Sequence, residues 1–139
     1  MFQLHPQLSR DCFAVTSMPL SDLLLMNDAQ FPWLILVPRV EEAREIIDLS
    51  FSEQQTLWRE SAWVSEILRD DFKAHKLNVA ALGNHVPQLH LHHIARQTTD
   101  AAWPDPVWGR VQPLAYTKAQ AQQRVDFVAQ AINEKIRSL

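Results

Sequence analysis

The stretch Gln88-Leu89-His90-Leu91-His92-His93 sets polar side chains against aliphatic ones with a period of two, the signature of an extended strand with two chemically different faces. In a strand, Gln88, His90 and His92 fall on one face and Leu89, Leu91 and His93 on the other. Residues two apart in a strand have Cα atoms roughly 7 Å apart, so two imidazoles stand side by side within reach of one phosphate-sized group. Half of the chain's six histidines occupy positions 90 to 93, which makes this strand the expected seat of chemistry as well.

Such a strand needs a sheet, and the rest of the chain supplies one. Cys12 to Thr16 reads as a strand, Met18-Pro19-Leu20 interrupts, and Leu23 to Met26 follows before the turn signal Asn27-Asp28. Phe31 to Pro38 has the near-continuous apolar character of a central strand, with prolines only near its ends, as ladder hydrogen bonding requires. These are expected to be antiparallel neighbours, with Ile46-Ile47 as a short edge segment. Leu77 to Leu82 returns to strand, Gly83-Asn84-His85 turns, and Pro87 to Ala95 carries the histidines.

Two helices complete the pattern. Ser52 with Gln55 reads as a capping box, and Leu57, Val64, Ile67 and Leu68 follow at helical spacing, predicting a helix from about Glu53 to Ala74. A second box, Thr117 with Gln120, opens a C-terminal helix whose apolar residues are Ala121, Val125, Val128, Ile132 and Ile136. Between them, residues 97–116 carry Pro104, Pro106, Pro113, Trp103 and Trp108 without periodicity and read as an ordered, irregular loop. The expectation is an α+β fold: an antiparallel sheet with one long central helix and a C-terminal helix, in a single domain spanning residues 1–139.

Composition narrows the function. A formal net charge of −3 gives no reason to expect nucleic-acid binding, and no apolar run is long enough to cross a bilayer. The first residues lack the basic region and apolar core of a signal peptide, and Cys12 is the only cysteine, so a reducing, cytoplasmic setting is expected. With Gly83 and Gly109 the only two glycines, a Gly-rich nucleotide loop of the P-loop or Rossmann type is excluded.

Between Asp71 and Asp100 there is no Asp or Glu, whereas Lys73, Lys76 and Arg96 lie in that interval among the histidines, a balance that suits an anion such as phosphate. Gly83 can adopt backbone angles closed to other residues, so the turn at 83–85 is expected to present N–H groups to that anion. Neutral imidazole is a competent nucleophile at phosphorus, and a second, protonated ring can protonate the leaving oxygen. The competing metal reading needs His85 as third ligand beside His90 and His92 and has neither carboxylate nor thiol to help it, so no metal is expected. The tryptophans read as core and interface fillers, with one available to line a nucleoside pocket. His93 reads as structural, and His5 and His75 have no partner suggested by spacing.

The segment from Asn78 through Gly83-Asn84-His85 and Gln88-Leu89-His90-Leu91-His92-His93 to Arg96 resembles the signature of the histidine triad (HIT) superfamily, in which histidines alternate with apolar residues. Asn27 and the Phe31–Arg39 run resemble that superfamily's nucleotide-side strands, and the likeness covers roughly residues 10–96. Trp103-Pro104-Asp105-Pro106-Val107-Trp108-Gly109 looks like the tail of a bacterial HIT-like, or dinucleoside polyphosphate hydrolase-like, subgroup.

The resemblance implies a nucleotide hydrolase or nucleotidyl transferase acting at an α-phosphate of a nucleotide or dinucleoside polyphosphate through a covalent nucleotidyl-histidine, without cofactor. It places His90 as nucleophile and His92 in leaving-group protonation and phosphate contact. Asn78, Gly83, Asn84 and His85 fall at the phosphate loop and Asn27 near the ribose, and a homodimer is expected. Gln88 stands where the first triad histidine belongs. Its amide can orient a neighbouring ring but cannot carry a titrating proton. Galactose-1-phosphate uridylyltransferases carry a glutamine at the other end of the triad and remain active. The substitution keeps open an alternative, a catalytically weak protein that binds a nucleotide or phosphorylated metabolite.

Overall fold

In the computed structural model, which describes residues 1–139, the chain folds into one five-stranded antiparallel sheet. The elements run α1 (Pro6–Asp11), β1 (Cys12–Ser17), β2 (Ser21–Met26), β3 (Trp33–Pro38), α2 (Phe51–Asp70), β4 (Lys76–Ala80), β5 (Leu91–Arg96) and α3 (Lys118–Arg137), with a 3₁₀ turn at Ile46–Asp48. Strand order is β1-β2-β3-β5-β4, so the most apolar strand, β3, is central, as expected from its residues. The fold is α+β.

Directly paired residues share a face, and this sorts the sheet into two halves. Leu23, Leu25, Leu34, Leu36, Leu91 and Ala95 point to the side covered by α2 and α3, which contribute Leu57, Val64, Ile67, Leu68, Val128 and Ile132 to a buried cluster. Each fully buried Leu or Ile there stabilises the fold by roughly 1.5–3 kcal/mol. The opposite side carries Leu24, Trp33, Ile35, Val37 and Ile94, covered by Leu8 of α1, Val86, and Ala102 and Val107 of the irregular loop. His92, paired with Ile35, belongs to this second side, and His93, paired with Leu34, to the helical side.

Several boundaries differ from those read off the sequence. Helix α2 starts at Phe51, capped by Ser50 with Glu53 rather than Ser52 with Gln55, and it ends at Asp70, ahead of Lys73, whose positive φ of 56° breaks helical geometry. Ile46-Ile47 is not an edge strand. Glu45 and Asp48 form their own capping box and wind it into the 3₁₀ turn. A short helix, α1, precedes β1, with Pro6 in its first turn and the His5 ring capping it.

The largest shift concerns the histidine strand. β5 begins at Leu91, not Pro87, because the β3 ladder ends at Pro38, which has no N–H to offer a partner beyond Leu91. Leu89 N–H turns instead to Ala43 C=O at 2.9 Å. Gln88 and His90 therefore lie in the segment leading into the strand, and β4 stops at Ala80, short of Leu82. The segment at 97–116 has no helix or strand, as expected, and the final helix is capped by Thr117 and Gln120 as its sequence predicts. No helix is long and apolar enough to cross a membrane.

Candidate active site

Although His90 precedes β5, its ring still meets that of His92 edge-on, with centroids 4.8 Å apart. His92 is in turn flanked by Trp33 and Trp108, at centroid distances of 5.8 and 5.0 Å. The row links two cavities. One, of about 300 Å³, is lined by His90, Gly83, Asn84, His85 and Arg44. The other, of about 330 Å³, is lined by Trp33, Trp108, Asn27, Arg10 and Asp11. A larger cavity among Phe72, Tyr116, Arg124 and Phe127 has no histidine in its lining.

Hydrogen bonding assigns the protons on all three clustered rings. A carbonyl can only accept, so the 2.7 Å contact of His90 Nδ1 with Gln88 C=O places a proton on Nδ1 and leaves a lone pair on Nε2. The indole of Trp33 can only donate, and it donates from Nε1 to His92 Nδ1 at 3.0 Å, so His92 carries its proton on Nε2 and gives it to Leu82 C=O at 3.0 Å. His93 donates from Nδ1 to Leu91 C=O and accepts the Ser61 hydroxyl at Nε2, at 3.1 and 2.8 Å. Of these three, only His90 keeps a ring nitrogen without a partner in the protein.

Burial keeps these rings neutral. It lowers the pKa of His90, against the Gln88 carbonyl bond, and a charge on His5 would lower it further. Burial, joined by the neighbouring His90, takes His92 down to about 4, and burial takes His93 to about 4. A neutral His90 has its Nε2 lone pair available at physiological pH, as a nucleophile requires.

Gly83 serves the site differently from the sequence expectation. Its φ is not positive; a Cβ there would lie 2.6 Å from Val86 O and 2.9 Å from His90 Cε1, so glycine is needed for close approach. The backbone N–H groups of Gly83, Asn84, His85 and Val86 donate to no group of the protein. Residues 83–86 all border the cavity of His90, so the loop offers spare donors beside the free nitrogen.

Other expectations are redrawn. Asn78 is not at the cavity: its Oδ1 accepts from the Arg96 guanidinium at 2.8 Å. Arg96 is itself held by Asp100 through two bonds of 2.8 and 3.0 Å, so its charge is spent internally. Neither Lys73 nor Lys76 lines the histidine cavity; Arg44 and Glu45 do, an approach across the fold that no local pattern announces. Asn27 borders the second cavity while its Oδ1 accepts from Tyr116 N–H at 2.9 Å. The Gln88 amide does not orient His90; the Gln88 backbone carbonyl does. Trp33 and Trp108 fill the apolar cluster of this face, as read, and also flank His92 and line the second cavity, and His5 has a partner after all. No group of three or more His, Cys, Asp or Glu side chains is placed to hold a metal ion.

The fold and site together define an α+β protein built around one free imidazole nitrogen beside a loop of unpaired amide donors. The HIT domain family model matches residues 7–99, and the chain belongs to the histidine triad family. A histidine triad protein from Bradyrhizobium japonicum is similar at 48% identity, over 97% of this chain and 98% of that one, with a TM-score of 0.89. One from Marinobacter aquaeolei VT8 gives 48% identity, 96% and 98% coverage and a TM-score of 0.93. One from Sinorhizobium meliloti 1021 gives 37%, 96% of each chain and 0.88. No curated protein matches the chain.

Proposed function

We propose that this histidine triad protein is a nucleotide hydrolase or nucleotidyl transferase that attacks an α-phosphate with Nε2 of His90. The observation that carries the reading is the unpartnered Nε2 beside a loop whose amides at 83–86 are also unpartnered. The lone pair of Nε2 forms a P–N bond as the P–O bond to the leaving group breaks, and the leaving oxygen keeps that electron pair. Water or another hydroxyl acceptor then attacks phosphorus and releases its proton to solvent, the P–N bond breaks, and the ring recovers its lone pair. The Nδ1–H bond to Gln88 C=O steadies the positive charge the ring carries while phosphorus is attached.

The spare amides and the Asn84 and His85 side chains contact the phosphoryl oxygens, and the nucleoside occupies the cavity of Trp33, Trp108 and Asn27. His92 acts as a neutral ring. With a pKa of about 4 and both nitrogens occupied, it holds His90 edge-on and has no ready proton at neutral pH. A nucleotide or polyphosphate leaving group departs as a stable anion and does not require one. The chain works as a homodimer through the outer strand β4, whose Val79 is 42% exposed, and sedimentation or light scattering at micromolar concentration should give twice the mass of one chain.

Incubation with a dinucleoside polyphosphate, followed by a quench that spares acid-labile P–N bonds, should add one nucleotidyl group to His90 by intact and peptide mass. Replacing His90 by Asn should abolish both adduct and turnover. No adduct and no product across a nucleotide panel would sink the hydrolase reading. Stabilisation by nucleotides without turnover would select the binding-protein alternative.

A further inference from the structure

Gln88 replaces a histidine, yet its amide is neither idle nor aimed at the catalytic rings. Its oxygen accepts from His5 N–H at 2.8 Å, and its nitrogen donates to Gln3 C=O at 2.8 Å. In an extended segment those two backbone groups flank Leu4 on one side, so the amide meets them as a parallel strand would meet a neighbour. A neutral imidazole also has one donor and one acceptor, but they diverge across a rigid ring, whereas the amide's nitrogen and oxygen sit on one carbon and point the same way. Glutamine therefore makes a contact that the histidine of the triad pattern cannot.

What is fastened matters. His5 is gripped through its N–H while its ring nitrogen Nδ1 accepts from Gln7 N–H at 3.0 Å, capping α1. Leu8 of that helix is buried, and Phe2 and Leu4 pack on the apolar cluster of the histidine face. At the far end of α1, Asp11 C=O accepts from Asn27 N–H at 3.0 Å, and Arg10 and Asp11 line the cavity of Trp33 and Trp108. The segment is thus pinned at both ends, by Gln88 near the nucleophile and by Asn27 at the second cavity.

We propose that Gln88 is a positioning residue whose amide clasps residues 2–11 across the histidine face, so that α1 stands as a fixed wall of the nucleoside cavity. The inference rests on the reading of that cavity as the nucleoside site. Gln88→Met preserves length and bulk without hydrogen bonding, and Gln88→His restores the triad pattern. Both should release the strap.

Hydrogen exchange of the full chain, followed by mass spectrometry of the 2–8 region, should speed up roughly tenfold or more in both variants, the loss expected for two hydrogen bonds of ordinary net strength. Exchange in β3 and α2 should be unchanged, the Kd for adenosine monophosphate should rise about tenfold, and with a dinucleoside polyphosphate as substrate KM should rise by more than kcat falls. Unaltered exchange at 2–8 in Gln88→Met overturns the clasp. Faster exchange with undiminished nucleotide affinity overturns the role of α1 as a wall. If the unaltered chain binds no adenosine monophosphate, the nucleoside reading fails and the wall with it, and the exchange result still decides the clasp.

Discussion

At position 83 the space left by a missing methyl group is taken up by the ring of His90. A Cβ would stand 2.9 Å from His90 Cε1 and 2.6 Å from a backbone oxygen that cannot swing aside, so Gly83→Ala has to move either the ring or the donor loop. Overpacking of this kind costs about 1–3 kcal/mol of stability. Displacing a nucleophile by a fraction of an ångström costs far more in rate, and kcat should fall roughly a hundredfold, checked by steady-state kinetics beside a thermal melt. The sequence singled out Gly83 by rarity and His90 by spacing. It assigned Gly83 to left-handed backbone geometry, because composition shows that a glycine is needed without showing which neighbour needs it. Trp33 was illegible as a site residue for a related reason: its indole donates to a ring 59 positions away.

Among elements, β5 places one titratable ring on each face of the sheet, and both are buried with neutral hydrogen-bond partners. The folded chain refuses protons on His92 and His93 until about pH 4, while the unfolded chain takes them up near 6.5. Stability is therefore fully present above about pH 6.5 and declines as pH falls towards 4, by roughly 3 kcal/mol for each ring. Urea denaturation at pH 7.5, 5.5 and 4.5 should record that slope, and a Ser61→Ala, His93→Leu pair should flatten it by about half. The same strand marks the limit of pattern reading. Alternation from Gln88 onward reads as one continuous strand, but a ladder also needs its partner, and Pro38 removes the donor that would have extended it. Elements held by local rules, such as the start of α3 with its Thr117 cap and its apolar residues three and four apart, were legible at the cap itself. Helix α2 was legible in existence but not in its cap, since two serines, Ser50 and Ser52, each have a suitable partner three residues on.

Across the whole molecule, the irregular loop is made orderly by one buried charge pair. Arg96 is 1% exposed and Asp100 holds it with both oxygens while also accepting from the N–H groups of Gln97, Ala102 and Trp103. Burial alone would raise the Asp100 pKa, but the Arg96 contact and those amides outweigh it and hold it at about 2. Asp100→Asn leaves a buried guanidinium without its counter-charge and should destabilise the chain by about 3–5 kcal/mol. Because the same loop delivers Trp108, limited proteolysis within 97–116 should accelerate and KM for nucleotide should rise. None of this was visible beforehand: Asp100 read as the end of a carboxylate-free interval, when it is the reason the interval's arginine is not at the site.

The indoles of Trp33 and Trp108 bracket His92, and this arrangement has an optical consequence. Imidazolium quenches indole emission where neutral imidazole does so weakly, so acidification through about pH 4 should dim these two fluorophores without a label. A purine stacking beside them at neutral pH should also alter the emission, turning the unmodified chain into its own reporter of occupancy.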